Sequence, residues 1–190
     1  MKCALFAAAV LGVLVPLPSR AHITLVYPPP RPGTVSPIGS PCGYSPDPGR
    51  TTAQPLLPGA TIEVRWNEWI GHPSHFRISF DDDGQDDFLD PASPTDFYTA
   101  PSVLLDEITD NGTSDHSATV TLPMIECGNC TLQVMQVLQD KLPYTSGPDS
   151  DDLHRVCADL TLTLDAEFIF DSGFEDPPAA QVLELGGTAR

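Results

Sequence analysis

From Thr61 to Phe80 apolar and polar residues alternate with a period of two, interrupted once. Ile62, Val64 and Trp66 fall on one face, with Thr61, Glu63, Arg65 and Asn67 on the other. After GlyHisProSer (71–74) the pattern resumes, with Phe76, Ile78 and Phe80 on one face and His75, Arg77 and Ser79 on the other. Side chains alternate in this way only along an extended strand with one buried face. The two runs predict a β-hairpin whose apolar faces point inward and whose polar faces point outward, its turn carrying His72 and His75. Ser117 to Leu122, Thr131 to Leu138 and Val156 to Leu164 predict three further strands, and residues 22–26 a short first one. No dozen-residue stretch carries a 3.6-residue apolar stripe. The expected fold is therefore all-β, an immunoglobulin- or fibronectin-like antiparallel β-sandwich with long loops.

Residues 1–21 read as a secretory signal peptide. Lys2 supplies the basic start, Ala4 to Val15 an apolar run too short to span a bilayer, and Ser19 and Ala21 the small residues of a cleavage site. The expected organisation is leader 1–21, one β-sandwich domain over 22–165 and a tail over 166–190, in a secreted or periplasmic protein. The tail's IlePheAspSerGlyPheGluAsp (169–176) resembles a short ending of assorted secreted bacterial proteins and reads as a neutral appendix. Ten prolines in 22–60 confine that stretch to loops and edge strands wrapped around a scaffold. Four cysteines remain once Cys3 leaves with the leader. In an exported chain an even number predicts two disulfides, Cys127 with Cys130 and Cys42 with Cys157.

Loss of Lys2 and Arg20 leaves 7 basic against 26 acidic side chains, a net charge of −19. Such a surface disfavours nucleic acid and anionic membranes and stays compatible with a neutral polysaccharide or a metal cation. The run Asp81 to Asp87 has the carboxylate density of a calcium loop without the EF-hand spacing, so it reads as a solvated turn.

Cleavage after Ala21 would make His22 the first residue. An N-terminal histidine offers a metal its α-amine and a ring nitrogen, and one more imidazole completes a three-nitrogen set suited to Cu(II). His72 and His75 flank the predicted turn, His154 precedes the last strand, and His116 lies in a polar loop and reads as surface.

Several separated motifs then resemble the lytic polysaccharide monooxygenases. They are the expected terminal His22, the tryptophan-to-histidine segment ending in HisProSerHisPhe (72–76), CysGlyAsnCysThrLeuGln (127–133) and CysAlaAspLeu (157–160). The likeness is greatest to the insect-type chitin- and cellulose-active branch and to bacterial relatives of unassigned activity, and it runs to about residue 164. It implies a copper cofactor held by His22 and His72, with His75 as the alternative second ligand. His154 stands at the axial position, where the family places Tyr or Phe. Gln133 and Gln136 occupy the strand that can bring an amide next to the ligands. The implied activity is oxidative cleavage of a chitin- or cellulose-like chain by a monomer using an external electron donor. An exported copper-handling protein, with copper ion alone as its partner, is the alternative. Tyr27, Tyr44 and Trp69 are the aromatics expected near the site, while Phe76 is assigned to the core.

Overall fold

A computed structural model of the chain describes residues 23–32, 41–43, 49–140, 142–147 and 150–165. The leader, His22 and the tail lie outside the described residues. The described elements are all strands: β1 (Ile23–Tyr27), β2 (Gln54–Leu56), β3 (Thr61–Glu68), β4 (Ser74–Asp81), β5 (Val103–Thr109), β6 (Asp115–Thr121), β7 (Cys127–Leu138) and β8 (Leu153–Leu162). They form a three-stranded sheet in the order β1-β3-β6 and a five-stranded sheet in the order β2-β8-β7-β4-β5. The all-β expectation holds, with one parallel pair, β2 against β8, among antiparallel neighbours. Among the described residues no helix is long and apolar enough to cross a membrane.

The core lies between the sheets. Ile62, Val64 and Trp66 from β3 join Phe76, Ile78 and Phe80 from β4, Val134 from β7 and Val156 from β8 in one cluster. Trp66 meets Phe76 edge-on at 5.1 Å between ring centroids. Burial of each such side chain contributes on the order of 1.5–3 kcal/mol.

The predicted hairpin is not formed. β3 pairs with β1 and β6, whereas β4 pairs with β5 and β7, so residues 69–73 cross from one sheet to the other. The reason is the apolar faces themselves. Side by side in one sheet they would still need a cover, but on facing sheets β3 and β4 cover each other.

The outward face of β4 is also buried. His75, Arg77 and Ser79 are 5 %, 1 % and 3 % exposed, contrary to the solvent face that alternation predicts. The cross-strand rows His75–Val137–Leu153, Arg77–Met135–Arg155, Ser79–Gln133–Cys157 and Asp81–Thr131–Asp159 line this second face. Loops cover it and neutralise its charges. Arg77 donates to Asp106 at 2.8 Å, Arg155 to Asp90 at 2.7 Å and Arg31 to Asp159 at 2.7 Å. Arg31 N–H also bonds Cys157 C=O at 3.0 Å, which places this part of the proline-rich segment against β8 as a wrapping.

Both expected disulfides are present, Cys42–Cys157 and Cys127–Cys130. Next to the first, Gly43 has φ +69°, and a Cβ there would sit 1.9 Å from the Arg155 carbonyl oxygen. Only glycine allows the covering loop so close to β8. In the acidic loop, Asp81 is 2 % exposed and accepts from the N–H groups of Asp83, Gly84 and Asp87, while Asp82, Asp83, Asp86 and Asp87 are exposed. The neighbouring carboxylates, Asp81 foremost, push Asp83 above the usual carboxylate range.

Candidate metal centre

One end of the sandwich gathers all four described histidines. β1 begins there, with Ile23 opposite Glu68 at the end of β3. Ser74 at the start of β4 lies opposite Leu138 at the end of β7, and Gln136 lies opposite His154 near the start of β8. The crossing segment 69–73 carries His72 over this end.

His72 is half-buried and its Nδ1 lies 3.1 Å from Asp140 Oδ2. Its backbone N–H donates to Glu68 Oε1 at 3.3 Å. Pro73 C=O accepts from Gln139 N–H at 2.8 Å, which ties the crossing segment to the β7 end beside Asp140. His154 is 2 % exposed and shares the core face of its sheet with Gln136 and Phe76. His75 lies on the opposite face of that sheet, with Nδ1 3.2 Å from Gln139 Nε2 and its ring edge-on to Phe97. The sheet therefore separates His75 from His154. Burial holds the His75 imidazole below its ordinary range, ahead of the opposing pull of Asp106.

Gln136 and Gln133 divide in the same way. Gln136 faces the histidine end of the core, where its Nε2 donates to Glu68 Oε1 at 2.6 Å and to Ser74 Oγ at 3.0 Å. Gln133 is on the covered face and donates to Pro41 C=O.

His116 is not a surface residue. It is 7 % exposed, stacks on Trp66 at 5.6 Å with planes 10° apart, and places Nε2 3.4 Å from Glu68 Oε2. Glu68, which sequence reasoning passed over, is 4 % exposed and joins His72, His116 and Gln136. Both residues were visible in the register. Glu68 continues the phase of Ile62, Val64 and Trp66, and His116 that of Ala118 and Val120.

Around the end, Trp69 is 67 % exposed, with its Nε1 donating to Thr24 Oγ1 at 3.0 Å, and Ile70 is 45 % exposed. Tyr27 is half-buried, with Arg65 over its ring at 5.9 Å, and Phe76 is fully buried as expected. Tyr44 lies outside the described residues.

Of the expected copper ligands, His72 and His154 lie among the described residues. His72 presents an imidazole whose Nδ1 is engaged by a carboxylate, as the ring of a metal-binding histidine commonly is. No family model and no curated protein matches the sequence. Among solved structures the chain is similar to the lytic polysaccharide monooxygenase AA15 from Thermobia domestica in the Cu(I) state. The TM-score is 0.38 at 18 % identity, over 57 % of this chain and 61 % of that one, so under two thirds of the neighbour's length is spanned. The likeness is distant.

Proposed function

We propose that the chain is an exported copper protein of the polysaccharide-monooxygenase type, with His22 and His72 as ligands and His154 beside them. The contact between His72 Nδ1 and Asp140 carries the reading, because a carboxylate behind an imidazole fixes its tautomer and raises its basicity toward a metal. A terminal His22 would add its ring and an α-amine of ordinary pKa near 8, which a metal can hold deprotonated at neutral pH. Bound copper would supply the one-electron chemistry that turns an oxygen co-substrate against a C–H bond beside a glycosidic linkage.

The chain's own residues have defined parts. Asp140 orients the His72 ring, and Glu68 holds the His72 backbone through its N–H. Trp69, pinned through its indole N–H, and Ile70 offer an apolar shelf beside the ligand on which a sugar ring can lie. An external donor must supply electrons.

A second reading, copper handling without turnover, is favoured by His154. A buried imidazole where the resembled family has Tyr or Phe adds a donor that strengthens cation binding. One experiment separates the readings. Intact mass first fixes the N-terminus at His22. The copper-loaded protein is then incubated with ascorbate and peroxide on chitin, cellulose and xylan. Oxidised chain ends, lost when the terminal amine is acetylated, are the expected result. Tight copper binding with no such product selects copper handling, and copper binding that survives His72→Ala removes the brace itself.

A further inference from the structure

We propose that Glu68, Asp110 and His116 form a second metal site, for a borderline divalent ion such as Zn(II), made of residues other than the proposed copper ligands. One oxygen from each carboxylate and one ring nitrogen of His116 lie within 4.8 Å of one another.

The spacing suits a shared ion as well as a long hydrogen bond. Glu68 Oε2 and His116 Nε2 are 3.4 Å apart, beyond the usual N–H···O separation of about 2.9–3.0 Å. A tetrahedral shell with bonds of about 2.0–2.1 Å has edges of about 3.3–3.4 Å. The second oxygen of Glu68 is already committed, since Oε1 accepts from Gln136 and from His72 N–H. Asp110 is held by Ser74 Oγ at 3.0 Å and by Gly112 N–H at 2.8 Å. Trp66 stacks against the His116 ring and fixes its plane. Each donor is thus oriented by a neighbour, as ligands of built metal sites are.

Charge points the same way. Asp106 and Asp159 are as buried as Glu68, and each holds an arginine. Among the described residues Glu68 has no arginine or lysine partner, and its ion pair is with His116 alone. A buried carboxylate without a cation costs free energy that a metal would offset.

A separate observation comes from Gln136. Its side chain is 0 % exposed, and its Oε1 has no hydrogen-bond partner. This oxygen belongs to the amide whose nitrogen is 2.6 Å from Glu68 Oε1. The amide turns its nitrogen toward the cluster, so Gln136 walls the site with a buried, incompletely satisfied side chain. One imidazole with carboxylate oxygens suits Zn(II) better than Ca(II), which takes oxygen ligands in larger number.

The test uses the processed protein carrying His72→Ala, which removes a proposed copper ligand and leaves these three residues in place. Zn(II) is titrated by calorimetry, and retained metal is counted after gel filtration. The expected result is one Zn(II) per chain, with affinity lowered roughly tenfold or more by adding Glu68→Gln or His116→Gln. Co(II) in place of zinc should show the visible bands of a four- or five-coordinate ion, weakened by the same substitutions. Near-UV circular dichroism reports the fold of each variant, and if His116→Gln perturbs it, the near-isosteric Glu68→Gln decides. Absence of retained zinc, or retention unaffected by Glu68→Gln, overturns the proposal. Because the background lacks His72, neither result depends on the copper reading.

Discussion

Asp106 shows how much of this fold one side chain can organise. Its carboxylate accepts from Arg77 Nε at 2.8 Å, Tyr98 N–H at 3.1 Å and Glu107 N–H at 2.9 Å. The last two residues have φ of 53° and 55°, a left-handed backbone that non-glycine residues adopt at a cost. Asp106→Ala would leave the guanidinium of Arg77 buried without its carboxylate, and it is expected to cost about 3–5 kcal/mol in urea unfolding. A loss no larger than that of an ordinary surface substitution would sink this reading. His75, 3.6 Å from the same carboxylate, gives a prediction in pH. Its folded pKa lies below the ordinary 6.5 because burial disfavours the charged ring. The unfolded chain therefore takes the proton first. The contribution of His75 is complete above about pH 6.5 and is lost as pH falls below it. Replacing His75 by Asn should flatten the decline in unfolding midpoint between about pH 7.5 and about pH 5.5. Equal declines in both proteins would refute it. At this scale the sequence was only partly legible. Alternation places Arg77 and His75 opposite Phe76, but it does not reveal that loops cover that face.

The elements divide by how clean their alternation is. β3, β4 and β6 were expected close to their observed bounds, since their apolar and polar residues alternate, whereas β7 and β8 begin four and three residues before their expected starts. β5 escaped because its register slips against β4 between Leu105 and Ile108, and the bulge scrambles period two. β2 is three residues long and contains Pro55, so its sequence carries no strand signal. The hairpin expectation failed for a related reason. Alternation says which face of a strand is apolar but not which strand lies beside it. The histidines of the candidate centre were legible one by one, whereas Glu68 emerged only once β3 and β6 were paired. The disulfides, read correctly, act on this scale through loop length. Cys42–Cys157 spans a separation of 115 residues and anchors the wrapping segment to β8, whereas Cys127–Cys130 spans 3. On the chain-entropy model the first contributes about 4–5 kcal/mol and the second about 2 kcal/mol. Replacing Cys42 and Cys157 by Ala should accordingly lower the denaturation midpoint far more than replacing Cys127 and Cys130. Comparable losses from the two replacements would show that the long loop is already constrained in the unfolded chain.

The whole molecule carries its charge unevenly, and this sets its response to salt. The full chain has 9 basic side chains against 26 acidic ones. Arg31, Arg77 and Arg155, themselves almost fully buried, and Arg50, half-buried, are paired with Asp159, Asp106 and Asp90 beneath the loops. These four arginines are engaged inside the covering layer, while Arg65 and the carboxylates Asp82, Asp83, Asp86 and Asp87 are exposed. The acidic excess gives the chain a net negative field, and its self-repulsion opposes the compact state. Raising ionic strength from about 0.01 M to about 0.15 M shortens the screening length from about 30 Å to about 8 Å, which weakens the repulsion between surface carboxylates. The buried arginine pairs are screened far less. Added sodium chloride at neutral pH should therefore raise the melting temperature. A protein resting on surface ion pairs would respond with the opposite sign. Melting curves in sodium chloride, with sodium perchlorate as a control for anion effects, distinguish the two. A melting temperature that falls over this range would mean that exposed ion pairs outweigh carboxylate repulsion, and that the acidic excess is not what limits stability.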